Sequence, residues 1–335
     1  MVGLQAQYWQ AAQLAVRARS SGLEAGAVDR ARETDRTVVR TWCLRGTLHL
    51  VPAEDVGWLT GLLGPGIIRG RRRRYGELGL DESTSKRAVR VIKQALGEKA
   101  PLTRAELAGE LARSGLAADV SGQVLPHLIS RAALEGILCH GPLRGSEETY
   151  VLLSDWVEQA KPPAREKSLA ELALRYVRAY GPATPDDFAA WSGLSLRDAR
   201  AGWQLLISEV TPVRIGDMTA WVSARSAPAT APPASGTLRL LPAFDAYLLG
   251  YRSRDLFLEP AESKRVQAGG GIIHPTIMLD GKIIGTWHYY SSRKNPVLKV
   301  DYFQPFPGEL LPRLQEETVD IGRFLGELPA LEMPA

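Results

Sequence analysis

The sequence predicts an α+β protein built from tandem winged helix-turn-helix units followed by a β-rich C-terminal module. Three observations carry that expectation. The order helix, helix, helix, hairpin is written twice in series, between residues 86 and 160 and again between 166 and 224. A length of 335 residues exceeds one ordinary core and suggests several units of about 100 to 200 residues each. Beyond Ser226 helical spacing gives way to short apolar strands. The expected divisions are a first winged helix at 1–85, a second at 86–160, a third at 161–225 and the β-rich module at 226–335.

In the first unit, helical patterns over Trp9–Arg17 and Ala25–Glu33 precede Val38–Val51, which reads as two strands around Arg45-Gly46, a wing. The helix that should open this unit is missing or very short. A helix-rich segment, 53–64, and an arginine run then lead onward. In the second unit, Val89, Ile92 and Leu96 mark a helix over Lys86–Leu96. Pro101 ends it, and Thr103-Arg104-Ala105-Glu106 offers a capping box for a short helix ending near Gly115. Ser121 caps a third helix carrying Val124, Leu128, Ile129 and Leu134, and strands at Ile137–His140 and Thr149–Leu153 flank a polar loop.

The third unit repeats the order. Leu169, Leu172, Ala173 and Tyr176 line a helix that Gly181 and Pro182 stop. Thr184-Pro185-Asp186-Asp187 starts the next, with a cap, a Pro in the first turn and acids against the dipole. Ser195 caps another, and Val210–Ile215 and Thr219–Val222 form a hairpin about Gly216-Asp217. An Ala/Pro-rich linker follows from residue 227. Leu238–Leu241, a hairpin within 271–290 turning at Asp280-Gly281, a strand at 297–303 and a helix over Pro312–Leu325 complete the chain.

Composition narrows the class. Hydrophobic residues at 45% with 23% charged describe a globular chain. No run approaches the roughly 18 apolar residues that cross a bilayer, and no charged n-region with an apolar core stands at the N-terminus, so a cytoplasmic location and no membrane partner are expected. Cys43 and Cys139, the two cysteines, sit among strand-like apolar residues and read as buried hydrophobes. The net charge of +4 is unevenly spread: from Arg36 to Arg104 there are 14 basic residues against six acids, a balance of +8, leaving 4 − 8 = −4 for the rest. Its peak is Arg69 with Arg71, Arg72, Arg73 and Arg74, either a solvated face or a surface for phosphate, whose oxygens match the arginine fork.

No P-loop, dinucleotide fingerprint, nucleophile elbow or metal-ligand spacing is present. The five histidines (His49, His127, His140, His274, His288) are scattered, and each singly reads more readily as structural than catalytic. Glu54-Asp55 and Asp186-Asp187 sit where helix starts favour negative charge. Residue patterns alone therefore favour a winged-helix DNA-binding protein or regulator without catalysis.

Four separated segments change that order: Gly3-Leu4-Gln5-Ala6-Gln7; the wing from Arg40 through Trp42, Arg45 and His49 to Pro52; Leu240–Arg252, reading LLPAFDAYLLGYR; and Pro275–Trp287, reading PTIMLDGKIIGTW. Together they resemble the bacterial AlkZ and YcaQ family of DNA glycosylases, which are built from tandem winged helices, and the match spans nearly the whole chain. The resemblance implies a monofunctional glycosylase that excises N7-alkylated purines from double-stranded DNA without cofactor or metal, extending in AlkZ relatives to interstrand crosslinks, bulky genotoxin adducts and self-resistance. It implies Gln5 and Gln7 as catalytic, since Gln5-Ala6-Gln7 fits the Gln-apolar-Gln form of the family motif. Relatives carry a helical stretch before this motif, so the first unit is expected to be truncated at its N-terminus. Arg45 and His49 are candidate DNA contacts from the wing, Trp42 and Trp287 candidate core aromatics, and Asp245 a candidate helix cap; Arg252 fits either a phosphate contact or an acid partner. A monomer is favoured, and a protein that sequesters a DNA-reactive compound is a third, weaker reading.

The chemistry accounts for two amides where a base might be expected. An N7-alkylguanine already carries positive charge, so its glycosidic bond is weakened and the departing base needs no strong acid. What remains is to place a water at the anomeric carbon and stabilise an oxocarbenium-like sugar, which amide oxygens can do as acceptors and dipoles. Residues i and i+2 point the same way in an extended segment but lie about 200° apart on a helix. The pair therefore converges on one water most easily if the segment is extended or turns into the helix near Tyr8.

Overall fold

A computed structural model describes residues 2–116, 122–158, 160–225, 236–291 and 295–334. It is an α+β protein. The Ser121 cap and the linker at 226–235 lie outside the described residues. By contact the chain divides into two compact units, one of Met1–Gly3 with Arg30–Ser223, the other of Leu4–Asp29 with Ala224–Ala335. The chain opens with a short strand β1 (Leu4–Gln5), helix α1 (Trp9–Arg17) and helix α2 (Ala25–Glu33), the two helices with the bounds expected from their spacing.

Within the first unit, β2 (Val38–Trp42) and β3 (Leu48–Pro52) form an antiparallel hairpin with Val39 opposite Val51 and Trp42 opposite Leu48. Its turn is a single helical turn at Leu44–Gly46, with Arg45 at φ 55. Helix α3 (Ala53–Gly70) follows, with Glu54 and Asp55 in its first turn. It runs beyond the helix-rich segment expected at 53–64, because Leu59, Leu62 and Leu63 bury one side and Ile68 continues the packing against the core beyond Pro65. Helix α4 (Arg72–Glu77) holds most of the arginine run.

Helix α5 (Glu82–Lys99) starts earlier than its apolar spacing indicated, because Asp81 caps it by accepting from Thr84 N at 2.6 Å. A two-residue strand β4 (Leu102–Thr103) precedes α6 (Arg104–Leu111), whose capping box joins Thr103 and Glu106 in both directions. Helix α7 (Val124–Leu134) leads into β5 (Leu138–His140) and β6 (Thr149–Leu152), and β4 adds to β6 to give the sheet order β4-β6-β5. Ile92, Leu96, Leu107, Leu111 and Leu128 are buried together between these helices.

The third run of elements is α8 (Arg165–Tyr180), α9 (Pro185–Ser192), α10 (Leu196–Gln204) and the hairpin β7 (Val210–Ile215) and β8 (Met218–Ser223). Thr184 is the expected cap of α9, and with Asp187 it forms a capping box; Ser195 caps α10 through Asp198 N. Tyr176 is fully buried at the centre of this part, its ring 5.0 to 6.4 Å from those of Tyr180, Phe188, Trp191 and Trp203. Two glycines set how closely the three runs approach. A Cβ on Gly64 of α3 would stand 2.0 Å from the Leu134 carbonyl oxygen at the end of α7. One on Gly193, at φ +79 after α9, would stand 2.9 Å from Arg45 Cα.

Within the second unit, β9 (Leu238–Leu241), a short helix α11 (Ala246–Leu249), β10 (Thr276–Leu279), β11 (Lys282–Tyr290), β12 (Val297–Tyr302), α12 (Leu311–Leu325) and β13 (Ala330–Glu332) build a five-stranded sheet ordered β13-β12-β11-β10-β9. All its pairings are antiparallel except β12 with β13. Asp280 and Gly281 both adopt positive φ, 47° and 81°, as a type I′ hairpin turn requires. Trp287 is 1% exposed and donates its indole N–H to Leu241 O at 2.8 Å, which makes it the core aromatic expected of it. Helix α12 buries Leu314, Ile321 and Phe324, and α1 packs against it.

Candidate functional site

The Gln5-Ala6-Gln7 segment lies between β1 and α1. Leu4–Gln5 is extended, and Tyr8 at the N-cap of α1 has φ −107 and ψ 123, so helical geometry begins only at Trp9. Ala6 is fully buried, Gln5 is half-buried and Gln7 is exposed. The strand thus ends at Gln5 and the chain bends at Gln7 and Tyr8 into the helix, with Ala6 buried between the two amides. Among the described residues, no acid stands in the first turn of α1 and no side chain caps it.

Charged and aromatic contacts inside the second unit hold α1. Trp9 Nε1 donates to Asp29 Oδ1 at 2.8 Å, and Gln13 Nε2 donates to the same carboxylate at 3.1 Å. Arg17, 3% exposed, donates to Glu317 at 2.9 Å, Asp320 at 3.1 Å and the Leu240 carbonyl at 3.0 Å, joining α1 to α12 and β9. Arg19 makes a two-pronged bond to Asp245 at 2.6 and 2.8 Å. Asp245 also caps α11 by accepting from Tyr247 N, so its candidate role as a cap is met and a second is added. Before Asp245, Phe244 adopts φ 56, which is strained for an aromatic residue, and its ring lies 5.7 Å from that of Tyr8. Sequence reasoning missed Arg17, Arg19, Asp29 and Tyr8. Their pairings span up to some three hundred residues of chain, and no local spacing signals them.

The basic residues fall into two groups. Arg69, Arg72 and Arg73 are exposed. Among the described residues Arg69 and Arg72 make no hydrogen bond or ion pair, while Arg73 and Arg74 share Glu77 at 2.9 and 3.2 Å. The Arg74 and Arg73 hydrogen bonds hold the Glu77 carboxyl below its ordinary pKa. Arg74 also donates to the Gln123 side chain. Arg71 is half-buried and structural: it donates to Ser130 Oγ at 2.7 Å and to Gly46 O at 2.5 Å, tying the hairpin turn to α7. Arg45 likewise donates to Trp191 O at the end of α9. The run and the turn are thus linked through Arg71.

His49 is 2% exposed, with Nδ1 3.0 Å from Thr47 O. Burial, then the Arg45 charge, push its pKa from 6.5 down to about 3, against the Thr47 bond. It is a neutral imidazole inside the hairpin. Because the folded value lies below the unfolded one, His49 favours folding above pH 6.5 and opposes it progressively as pH falls towards 3, by up to about 1.4 kcal/mol per pH unit. His49→Gln is expected to flatten the stability loss between pH 6 and 5 by about that slope in urea titrations. An unchanged slope would show that the ring is protonated in the folded state.

Trp42 is half-buried and stacks on His140 at 5.3 Å. His140 Nδ1 lies 2.8 Å from Glu148, which also accepts from Arg40, and burial holds the imidazole pKa down at about 4. Cys43 and Cys139 are buried free thiols, both pushed up by burial, Cys43 to about 12. Arg252 is exposed. Among the described residues no group of three or more His, Cys, Asp or Glu is arranged to hold a metal ion, and no helix is long and apolar enough to cross a membrane.

A Gln-Ala-Gln segment that runs from a short strand through a bend to the head of a helix, in a chain that also carries exposed arginines, matches a known class. The chain fits the family described as DNA glycosylase AlkZ-like over residues 1–324, and it belongs to the AlkZ-like family of DNA glycosylases. A curated relative, the interstrand DNA cross-link repair glycosylase of Streptomyces sahachiroi, is 30% identical over 97% of this chain and 89% of its own length. The solved structure of the Streptomyces sahachiroi DNA glycosylase AlkZ superposes with a TM-score of 0.84 at 25% identity, covering 99% of this chain and 91% of that one.

Proposed function

We propose that this protein is a monofunctional glycosylase that hydrolyses the N-glycosidic bond of N7-alkylated purines in duplex DNA, with interstrand crosslinks and bulky adducts within its range. The observation that carries the reading is the Gln5-Ala6-Gln7 segment, which turns from strand into helix with a buried alanine between two amides. Gln5 and Gln7 accept hydrogen bonds from one water and hold it against C1′ of the sugar. The C1′–N9 bond breaks with its electron pair leaving on the purine, which cancels the positive charge of the alkylated base. Water oxygen forms the new bond to C1′, and its proton passes to solvent, since an amide cannot retain it. The amide dipoles offset the charge that develops on the sugar ring. The helix, strand and hairpin runs of the first unit are read as tandem winged helices that hold the duplex. This reading is supported by the element order, by the β4 strand that completes a three-stranded wing sheet, and by the family.

The test is release of free N7-methylguanine from a methylated duplex by the purified protein in the presence of a chelator, alongside unhooking of a duplex joined through two guanine N7 atoms. Binding without release of any base would leave a DNA-binding protein without catalysis. On this reading Arg69, Arg72, Arg73 and Arg74 contact phosphate, while Arg45, His49 and Arg71 shape the turn beside them. Replacing Arg69, Arg72, Arg73 and the half-buried Arg74 by Ala is expected to weaken binding equally for damaged and undamaged duplexes. It should also reduce the salt slope by about 0.9 for each phosphate that is no longer neutralised. A wild-type salt slope in that variant would reduce the run to a solvated face.

A further inference from the structure

We propose that the second run of helices meets duplex DNA through its first helix, α5, whose outer face of Lys86, Arg87, Arg90 and Lys93 contacts the sugar-phosphate backbone, while α7, which stands where a recognition helix would, is closed to DNA. The inference rests on the duplex-binding part of the function proposed above and on none of its chemistry.

In a helix-turn-helix the last helix of the motif lies in the major groove and offers outer side chains to the base edges. Helix α7 has none to offer. Nine of its eleven residues are buried, and the other two, Pro126 and His127, are half-buried. Helix α3 packs along it, with the close approach at Gly64 described above. Its one arginine, Arg131, is 3% exposed and donates to Glu82 at 2.8 and 3.0 Å and to Glu135 at 2.8 Å. The β5–β6 loop, in the place of a wing, is no better suited to phosphate. It holds Glu147 and Glu148 against one cation, Arg144, which pairs with Glu106 at 2.7 Å.

Helix α5 has the opposite character. It carries five basic residues against two acids. Four of the five stand at i, i+1, i+4 and i+7, all exposed, on the side away from the buried Ala88, Ile92 and Ala95. At about 1.5 Å per residue the stripe from Lys86 to Lys93 is about 10 Å long, a length over which a duplex carries about six negative charges. Among the described residues Arg90 and Lys93 make no hydrogen bond or ion pair. Lys86 stands 3.5 Å from Glu82 with both side chains more than half exposed, and Arg87 donates to the Ser114 carbonyl. Three acids lie just ahead of the stripe and are engaged elsewhere, Glu77 with Arg73 and Arg74, Asp81 with Thr84 N and Glu82 with Arg131. Free cationic heads along one helical face suit phosphate, whose contacts release counterions and carry no sequence information.

The test is binding of the whole chain to a fluorescein-labelled, undamaged duplex, followed by anisotropy across a salt series. Arg90→Ala with Lys93→Ala is expected to lower the slope of log K against log salt by about 1.8, two contacts at about 0.9 each, and to raise Kd on the order of 10- to 60-fold at about 0.1 M salt. Both side chains are exposed, so this variant should unfold at the wild-type temperature, and its loss of affinity then reads the contact itself. Lys99→Ala takes one charge from the same helix off the stripe, where Lys99 pairs with Glu110 at 2.7 Å, and Arg144→Ala takes one from the β5–β6 loop. Each should leave Kd within about 2-fold of wild type. A wild-type Kd and slope in the Arg90→Ala, Lys93→Ala protein overturn the proposal. So does an equal loss in Arg144→Ala, which would put the loop rather than α5 on the duplex. The undamaged duplex keeps this result apart from base release: a protein that binds through α5 and frees no base fails as a glycosylase only, whereas a wild type that does not bind the duplex overturns both readings.

Discussion

Replacing Gln5 and Gln7 together by Ala is expected to slow single-turnover base release by at least about 10²-fold, with DNA affinity within about 2-fold of wild type. The expectation follows from where the two amides stand. They flank a buried Ala6 in the segment that bends from β1 into α1, ahead of the first helical residue, Trp9, so shortening them removes the two amides without altering the helix sequence. Gln5→Glu is informative beside it. A carboxylate is a stronger acceptor for water and for a cationic sugar, so this variant should keep far more activity than Gln5→Ala if the role is electrostatic. Release at the wild-type rate by the double Ala variant would sink the assignment of both residues.

Arg17→Met should lower stability by about 3 kcal/mol or more. Arg17 is buried against Glu317, whose side chain is 10% exposed, and against the Leu240 carbonyl, so its loss leaves that carboxylate with only the half-exposed Arg239 at 3.3 Å and the Leu240 N–H at 2.9 Å. Its second partner, Asp320, is 39% exposed, and Asp320→Asn should cost less than about 1 kcal/mol. The double variant Arg17→Met with Glu317→Leu should recover part of the loss, because it removes a buried carboxylate that has lost its closest cation. The measurement is urea unfolding of the four proteins at pH 7. An Arg17→Met protein within about 1 kcal/mol of wild type would mean that α1 is held by apolar packing alone. Since α1 follows the glutamine segment directly, base release should fall with the stability of this helix even though Arg17 touches no substrate.

Much of the secondary structure was legible in the sequence because its signals are local. The bounds of α1 and α2, the Thr103 capping box, the Thr184 and Ser195 caps and the Asp280-Gly281 turn depend on residues within about four positions of one another, where side chain and backbone must meet whatever the rest of the chain does. Where local signals misled, packing was the reason. The helix-rich segment expected to end at Gly64 continues to Gly70, because Ile68 beyond Pro65 still packs against the core. The two-residue β4 is too short for any period to show and exists because β6 offers it a partner.

The candidate site divides the same way. The sequence by itself determined the family resemblance, the Gln5-Ala6-Gln7 segment and the concentration of arginines, since each is a matter of which residues stand next to one another. Tertiary structure alone decided which arginines are offered to solvent and which are spent inside the fold. Arg71 and Arg45 look no different from Arg72 in a string of letters, yet they bond carbonyls of Gly46 and Trp191 while Arg72 is exposed. It also decided that residues 4–29 gather with the C-terminal segment, through Arg17 with Glu317 and Arg19 with Asp245. Ion pairs between residues more than two hundred positions apart leave no periodic trace. They form because a buried charge must find its partner in space rather than along the chain.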